Sequence, residues 1–214
     1  MKPPDHNRLI AAAAKSVLVS VGCAQKGRSR TWLDDHHWWV GVIEFQPSSW
    51  SKGSYLNVGA CWLWYEKDYL SFDDGSRVEA FHQFKSSEQF ADSAQLLAER
   101  AREEVLALRE RFPTIQSAAA YLRDKRTKDI WGHYHAGVSA GLVGDTRTAR
   151  MRLAAVIASK LDFPWALELK KRTAELAALV DDTARFRCEI TAVVGRRRSL
   201  LKLPSLQDGA SLEP

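Results

Sequence analysis

Ser54-Tyr55-Leu56-Asn57-Val58-Gly59-Ala60-Cys61-Trp62-Leu63-Trp64 alternates cleanly in polarity. Successive side chains of a strand point to opposite faces, so Leu56, Val58, Ala60, Trp62 and Trp64 share one face, and Tyr55, Asn57, Gly59 and Cys61 the other. The first set is apolar throughout and predicts a strand packed against helices. Upstream, Gln46-Pro47-Ser48-Ser49-Trp50-Ser51-Lys52-Gly53 is a polar loop rich in turn formers. Before that, Asp34-Asp35-His36-His37 reads as a hairpin tip flanked by strands near 30–34 and 38–46. Downstream, Asp73-Asp74-Gly75 signals a turn, after which Val78, Ala80, His82 and Phe84 alternate on a further strand. Six of the eight tryptophans fall between Trp32 and Trp64, and aromatic residues suit a pleated, half-buried surface. Four or five antiparallel strands are expected in 30–85.

The period then changes. On the N-terminal side, Asp5 can cap a helix over 6–22 whose apolar positions are Ile10, Ala14, Val17 and Val21. After Ser87, Phe90, Ala94, Leu97, Ala101, Val105, Leu108 and Phe112 form one helical stripe ended by Pro113. Shorter helices follow over 114–125 and 131–143; Gly144 stops the latter and Asp145 caps another that runs to residue 160. Phe163-Pro164 is a second stop. Beyond it Trp165, Leu169, Leu176, Leu179, Phe186, Ile190 and Val193 keep helical spacing, with Asp181-Asp182 as a possible break. The expected fold class is α+β: an N-terminal helix and a four- or five-stranded antiparallel sheet covered by a long helix, followed by an all-helical C-terminal region. The corresponding organisation is an aromatic-rich sheet domain over 5–112 and a helical region over 113–203, either packed on it or forming a subdomain. Residues 204–214 read as a disordered tail.

Hydrophobic residues make up 45% of the 214-residue chain and charged residues 27%, ordinary globular values that disfavour disordered or fibrous readings. The net charge of +5 is unevenly spread. Residues 1–29 carry five cations and one anion, whereas 30–92 carry five cations and ten anions, so an acidic aromatic segment has basic flanks. Cys23, Cys61 and Cys188 are odd in number and far apart, which argues for free thiols in a reducing compartment. The apolar run 9–23 invites comparison with a lipoprotein signal, but Lys15 interrupts it and Ser20-Val21-Gly22 fits a cleavage site poorly. No run reaches the roughly 18 apolar residues of a membrane span.

Three passages share a layout: Val21-Gly22-Cys23-Ala24-Gln25-Lys26-Gly27-Arg28-Ser29-Arg30-Thr31-Trp32, then Phe45-Gln46-Pro47-Ser48-Ser49-Trp50, then Tyr55-Leu56-Asn57-Val58-Gly59. Over roughly residues 5–85 the chain resembles, as a distant relative, the bacterial family catalogued as domain of unknown function 4304. That family shows a helix, a Gly-aromatic step, a basic turn into a tryptophan, a Gln-x-Ser segment and an Asn-x-Gly strand. Cys23 stands where the family usually has an aromatic residue. The resemblance implies a bacterial, cytoplasmic setting and no reaction, cofactor or catalytic residue; by analogy with small families of this composition it is compatible with partner binding.

Several constellations invite chemistry. Asp34, Asp35, His36 and His37 have the inventory of a metal site, but neighbours on a strand point apart, and a solvated tip is the preferred reading. His133 and His135 diverge by about 200° on the predicted helix, which favours packing over chelation. A zinc site combining one of them with a distant cysteine stays open. Gln46, Ser48, Ser49, Trp50, Tyr55 and Asn57 combine donors, acceptors and aromatic surface, as a cleft for a sugar, base or peptide would; the same residues suit a loop that caps the sheet. Neither serine lies in a nucleophile elbow, and Gly137, Gly141 and Gly144 lack the preceding strand of a phosphate loop. Arg196, Arg197, Arg198 and Lys202 could contact phosphates or simply close a helix C-terminus.

The first expectation is therefore a bacterial cytoplasmic, non-enzymatic module that binds a protein partner through its aromatic sheet and loop, with no cofactor and no membrane. The alternatives are a nucleic-acid-binding protein using Arg196, Arg197, Arg198 and Lys202, and a metal-dependent hydrolase built on His36, His37, His133 and His135.

Overall fold

A computed structural model describes residues 5–205. It shows an α+β fold with a five-stranded antiparallel sheet and seven helices among the described residues. The chain divides into two compact units: a sheet unit, running up to Cys61 and again over Leu70–Glu110, and a helical unit of Trp62–Tyr69 with the chain from Arg111 onward. The predicted tail lies outside the described residues from position 206.

In the sheet unit, α1 (Asp5–Ser20) buries Ile10, Ala14, Val17 and Leu18, the stripe its spacing predicts with Leu18 in place of Val21. A two-residue strand, β1 (Ala24–Gln25), was not foreseen; it pairs with β2 (Thr31–Asp35), with Gly27 at φ +58° in the turn between them. Then come β3 (Trp39–Glu44), β4 (Gly53–Trp62) and β5 (Asp74–Gln83), in the order β1-β2-β3-β4-β5, each strand beside its neighbours in sequence. The alternation of β4 shows in burial only over residues 55–58, where Leu56 and Val58 are buried and Tyr55 and Asn57 partly exposed; from Val58 to Trp62 every residue is buried, Gly59 and Cys61 included.

Two expectations need correction. Asp74 and Gly75 are not a turn but the start of β5, opposite Ala60 and Gly59. A Cβ on Gly59 or Gly75 would lie 2.5 Å from the other's Cα, so glycine serves here to let two strands approach closely. The hairpin tip is also less solvated than its composition suggests. Asp34 is 4% exposed and receives Arg109 Nε and an η nitrogen at 2.9 and 2.7 Å, while His36 Nε2 lies 2.7 Å from it and stacks its ring on Trp39. A buried carboxylate needs such partners, and Arg109, from the last turn of α2 (Ser87–Arg111), supplies a bidentate one.

In the helical unit each helix start carries its own signal. Thr114 and Ser117 form a capping box for α3 (Ile115–Asp124). Asp129, Asp145 and Asp182 cap α4 (Ile130–Leu142), α5 (Thr146–Ile157) and α7 (Thr183–Leu201), and Pro164 opens α6 (Pro164–Ala177). Gly144, at φ +80°, turns α4 into α5. No helix among the described residues is long and apolar enough to cross a membrane. Cys23 and Cys61 are buried and Cys188 is exposed, all as free thiols.

Candidate binding groove

The helical unit is built around the segment Trp62–Tyr69. Trp62 and Trp64 are fully buried and stack at 5.1 Å, with Phe112 edge-on to Trp62. The Trp64 carbonyl accepts from Tyr134 Oη at 3.0 Å, and the Trp64 indole donates to His135 Nδ1 at 2.9 Å. An indole N–H only donates, so the ring proton of His135 sits on Nε2. The buried guanidinium of Arg197 donates to the carbonyl of Trp62 and, at 3.3 Å, to that of Tyr69. Both ends of the segment are thereby tied to α7, and Tyr65, Glu66, Lys67, Asp68 and Tyr69 are presented between them.

The first turns of α4 and α6 supply the opposite wall. Asp129 accepts from the Gly132 amide at 2.7 Å and from Thr127 Oγ1 at 2.9 Å, which fixes the start of α4. A Cβ at Gly132 would fall 1.9 Å from Thr127 Oγ1, so the close approach requires glycine. This cap aims Trp131 at Tyr65, edge to face at 4.9 Å. Trp165, beside the helix-opening Pro164, lies nearly parallel to Trp131 at 6.1 Å, and Phe163 nearly parallel to Trp165 at 6.2 Å. The rings form a ladder, from a half-buried Trp131 to Trp165 and Phe163, which are 46% and 54% exposed.

Between these walls runs a groove of about 390 Å³, lined by Tyr65, Tyr69, Trp131, Trp165, Glu168 and Leu200 among others. A second hollow of about 230 Å³ shares Tyr65, Glu66 and Glu168 and is closed by Arg172 and Arg196. Charge is partly neutralised there: Arg196 pairs with Glu66, and Arg172 with Glu189 at 2.5 Å and Glu175 at 3.2 Å. Glu168 makes no ion pair among the described residues. Burial pushes the Tyr65 phenol up, and the charge of Glu168 adds to the effect. Lys67 reaches into the groove and places its ammonium 3.7 Å from the centroid of the Trp131 ring.

The loop singled out by sequence divides into two parts. Gln46, Tyr55 and Asn57 come together: Asn57 Nδ2 donates to Gln46 Oε1 and to Glu44, both at 3.0 Å, Arg77 donates to Gln46 Oε1 at 2.8 Å, and its guanidinium lies 3.9 Å from the Tyr55 ring centroid. Arg77 and Glu44 were not among the expected members. Ser48, Ser49 and Trp50 make no hydrogen bond to this cluster among the described residues; Ser48 Oγ accepts from the Trp50 amide at 3.1 Å, and Trp50 is 93% exposed.

The basic run is turned largely inward. Arg197 is fully buried, and Arg198, 4% exposed, donates to the Pro204 carbonyl at 2.8 Å; only Arg196 and Lys202 lie outward. The histidines do not converge either. His135 is in the core, His133 faces Arg152 at 3.3 Å, and no group of three or more His, Cys, Asp or Glu side chains among the described residues is gathered for a metal.

Compared with family models, curated proteins and solved structures, the chain has no match. The groove itself was missed from sequence. Its available signal was that Trp131 and Trp165 each stand in the first turn of a helix, beside the start signals Asp129 and Pro164.

Proposed function

We propose that the protein is a partner-binding module of the bacterial cytoplasm whose helical unit takes a short segment of another protein into the Trp131–Trp165–Phe163 groove. The observation that carries this reading is the exposure of Trp165, Tyr69 and Leu200 along one groove, with the exposed Phe163 ring stacked on Trp165. Clustered exposed apolar surface marks interaction sites, and tryptophan and tyrosine dominate interface energetics. The polar cluster of Gln46, Asn57 and Arg77 already satisfies itself, so it offers fewer free donors and acceptors than its composition promises. On this reading the sheet unit is the scaffold, its apolar face closed by α2. The buried stripe from Phe90 to Leu108 and the Arg109–Asp34 pair support that placement.

The test is affinity capture from the native cell with the wild-type protein, Trp165→Ala and Trp50→Ala. The proposal expects a partner that is lost with Trp165→Ala and retained with Trp50→Ala. Equal recovery of that partner by wild type and Trp165→Ala overturns the groove. The nucleic-acid alternative loses two of its four basic residues to the burial of Arg197 and Arg198. A salt-dependent mobility shift abolished by changing Arg196 and Lys202 would restore it.

A further inference from the structure

The groove contains a cage that the chain fills with its own side chain. Lys67 Nζ lies 3.7 Å from the Trp131 ring centroid, 5.5 Å from that of Tyr69 and 5.7 Å from that of Tyr65. Three electron-rich ring faces around one ammonium are the arrangement by which proteins recognise organic cations. The walls are held independently of the occupant. Trp131 is set by the Asp129 cap and braced by His135 and Trp165, and the segment bearing Tyr65 and Tyr69 is tied at both ends by Arg197. The occupant is a half-buried side chain on four rotatable carbons, flanked by the exposed Glu66 and Asp68. A compact, strongly hydrated primary ammonium is also a weaker match to aromatic faces than an alkylated one, which sheds water more easily.

We propose that the Tyr65–Tyr69–Trp131 cage is the specificity pocket of the groove, that it takes a lysine-type cationic side chain of the partner segment, methylated lysine above all, and that Lys67 is a built-in competitor which that cation displaces. The inference rests on the groove being the partner surface. Charge complementarity selects a cation over an anion: with Lys67 swung out, the groove lining keeps the carboxylates of Asp68 and Glu168, neither of them in an ion pair among the described residues. The adjoining rings of Trp165 and Phe163 receive apolar residues next to the partner's cation.

A self-occupied pocket binds weakly because only the fraction of molecules with Lys67 displaced is competent, so removing Lys67 raises apparent affinity without adding any contact. The experiment follows the Trp131 indole N–H by NMR in the full chain while choline is titrated in, and in parallel its uncharged carbon isostere, in which a tert-butyl group replaces trimethylammonium. Lys67→Gln and Lys67→Met are each expected to bind choline about tenfold more tightly than wild type, and the neutral isostere to bind none of them comparably. Lys67→Arg keeps a cation in the cage and is expected to behave as wild type. Equal choline affinity in wild type and both neutral variants overturns the proposal, as does equal binding of the uncharged isostere. The two readings fail separately. If Trp165→Ala abolishes partner capture while Lys67→Gln gains nothing for choline, the cage is wrong and the groove stands; if choline gains but capture is indifferent to Trp165, the groove is wrong as a partner surface.

Discussion

Arg197 donates from α7 to the carbonyl oxygen of Trp62, and its second η nitrogen reaches the carbonyl of Tyr69. One planar donor fork thus holds the two ends of the segment that forms one wall of the groove. Replacing Arg197 by alanine leaves two carbonyls without this donor and is expected to destabilise the protein by about 3 kcal/mol, read from urea unfolding. Lysine is not expected to rescue it, since a single ammonium lacks the fork geometry. Hydrogen exchange of the amides over 62–69 should accelerate in both variants more than exchange in α2.

Asp34 and Arg109 make the sheet unit sensitive to acid. Burial, the largest influence on the Asp34 carboxyl, pushes it up, but the bonds from His36 and Arg109 outweigh burial and hold it below the ordinary value. A depressed carboxyl stabilises the fold above its unfolded value of about 3.9, and that contribution is lost as the pH falls through the lower folded value. Wild type should therefore be more stable than Asp34→Asn at neutral pH, and the gap should close below about pH 4. A constant gap in urea midpoints between pH 6 and pH 2 would count against the pairing.

Gly141 faces the buried Phe186 ring so closely that an added Cβ would sit 2.6 Å from it. Since a packed core cannot yield a methyl's worth of space cheaply, Gly141→Ala is expected to cost about 1 to 3 kcal/mol in thermal or denaturant unfolding, although alanine is the better helix former. The same change at Gly195, where nothing lies within 4 Å of the added Cβ, should be neutral or stabilising.

Asp129 links helix capping to the groove. Asp129→Ala should cost about 1 kcal/mol by removing the α4 cap and should shift the Trp131 indole resonance, because the first turn that carries the ring is released. Asp145→Ala removes a comparable cap from α5 and should leave the Trp131 signal in place.

Helix boundaries were legible because their signals are local. Thr114, Gly144, Asp145 and the Asp181-Asp182 break all mark observed helix ends, and the stripe from Phe90 to Leu108 is buried throughout. Trp62 and Trp64, placed in the core by alternation, are fully buried. The errors have one physical root: local pattern reports which side of an element is apolar, not what lies opposite it. Asp74-Gly75 has turn chemistry but is drawn into β5 by the close approach of Gly59. Asp34 looks like a tip residue until Arg109, distant in sequence, covers it. Trp165 falls on the apolar stripe with Leu169 and Leu176, yet those two are fully buried and it stands 46% exposed, lining the groove. The groove joins Tyr65, Trp131 and Trp165 from three separate segments, a convergence that no periodicity contains.

Of the three thiols, two are enclosed, and burial pushes that of Cys23 up to about 12, which leaves it essentially without thiolate at neutral pH. Cys188 stands exposed on α7, on the same helix as Arg197. The natural sequence therefore carries its own single attachment point: a thiol-reactive fluorophore or spin label should couple there alone, giving a reporter on the helix that ties down the groove wall without altering any other residue.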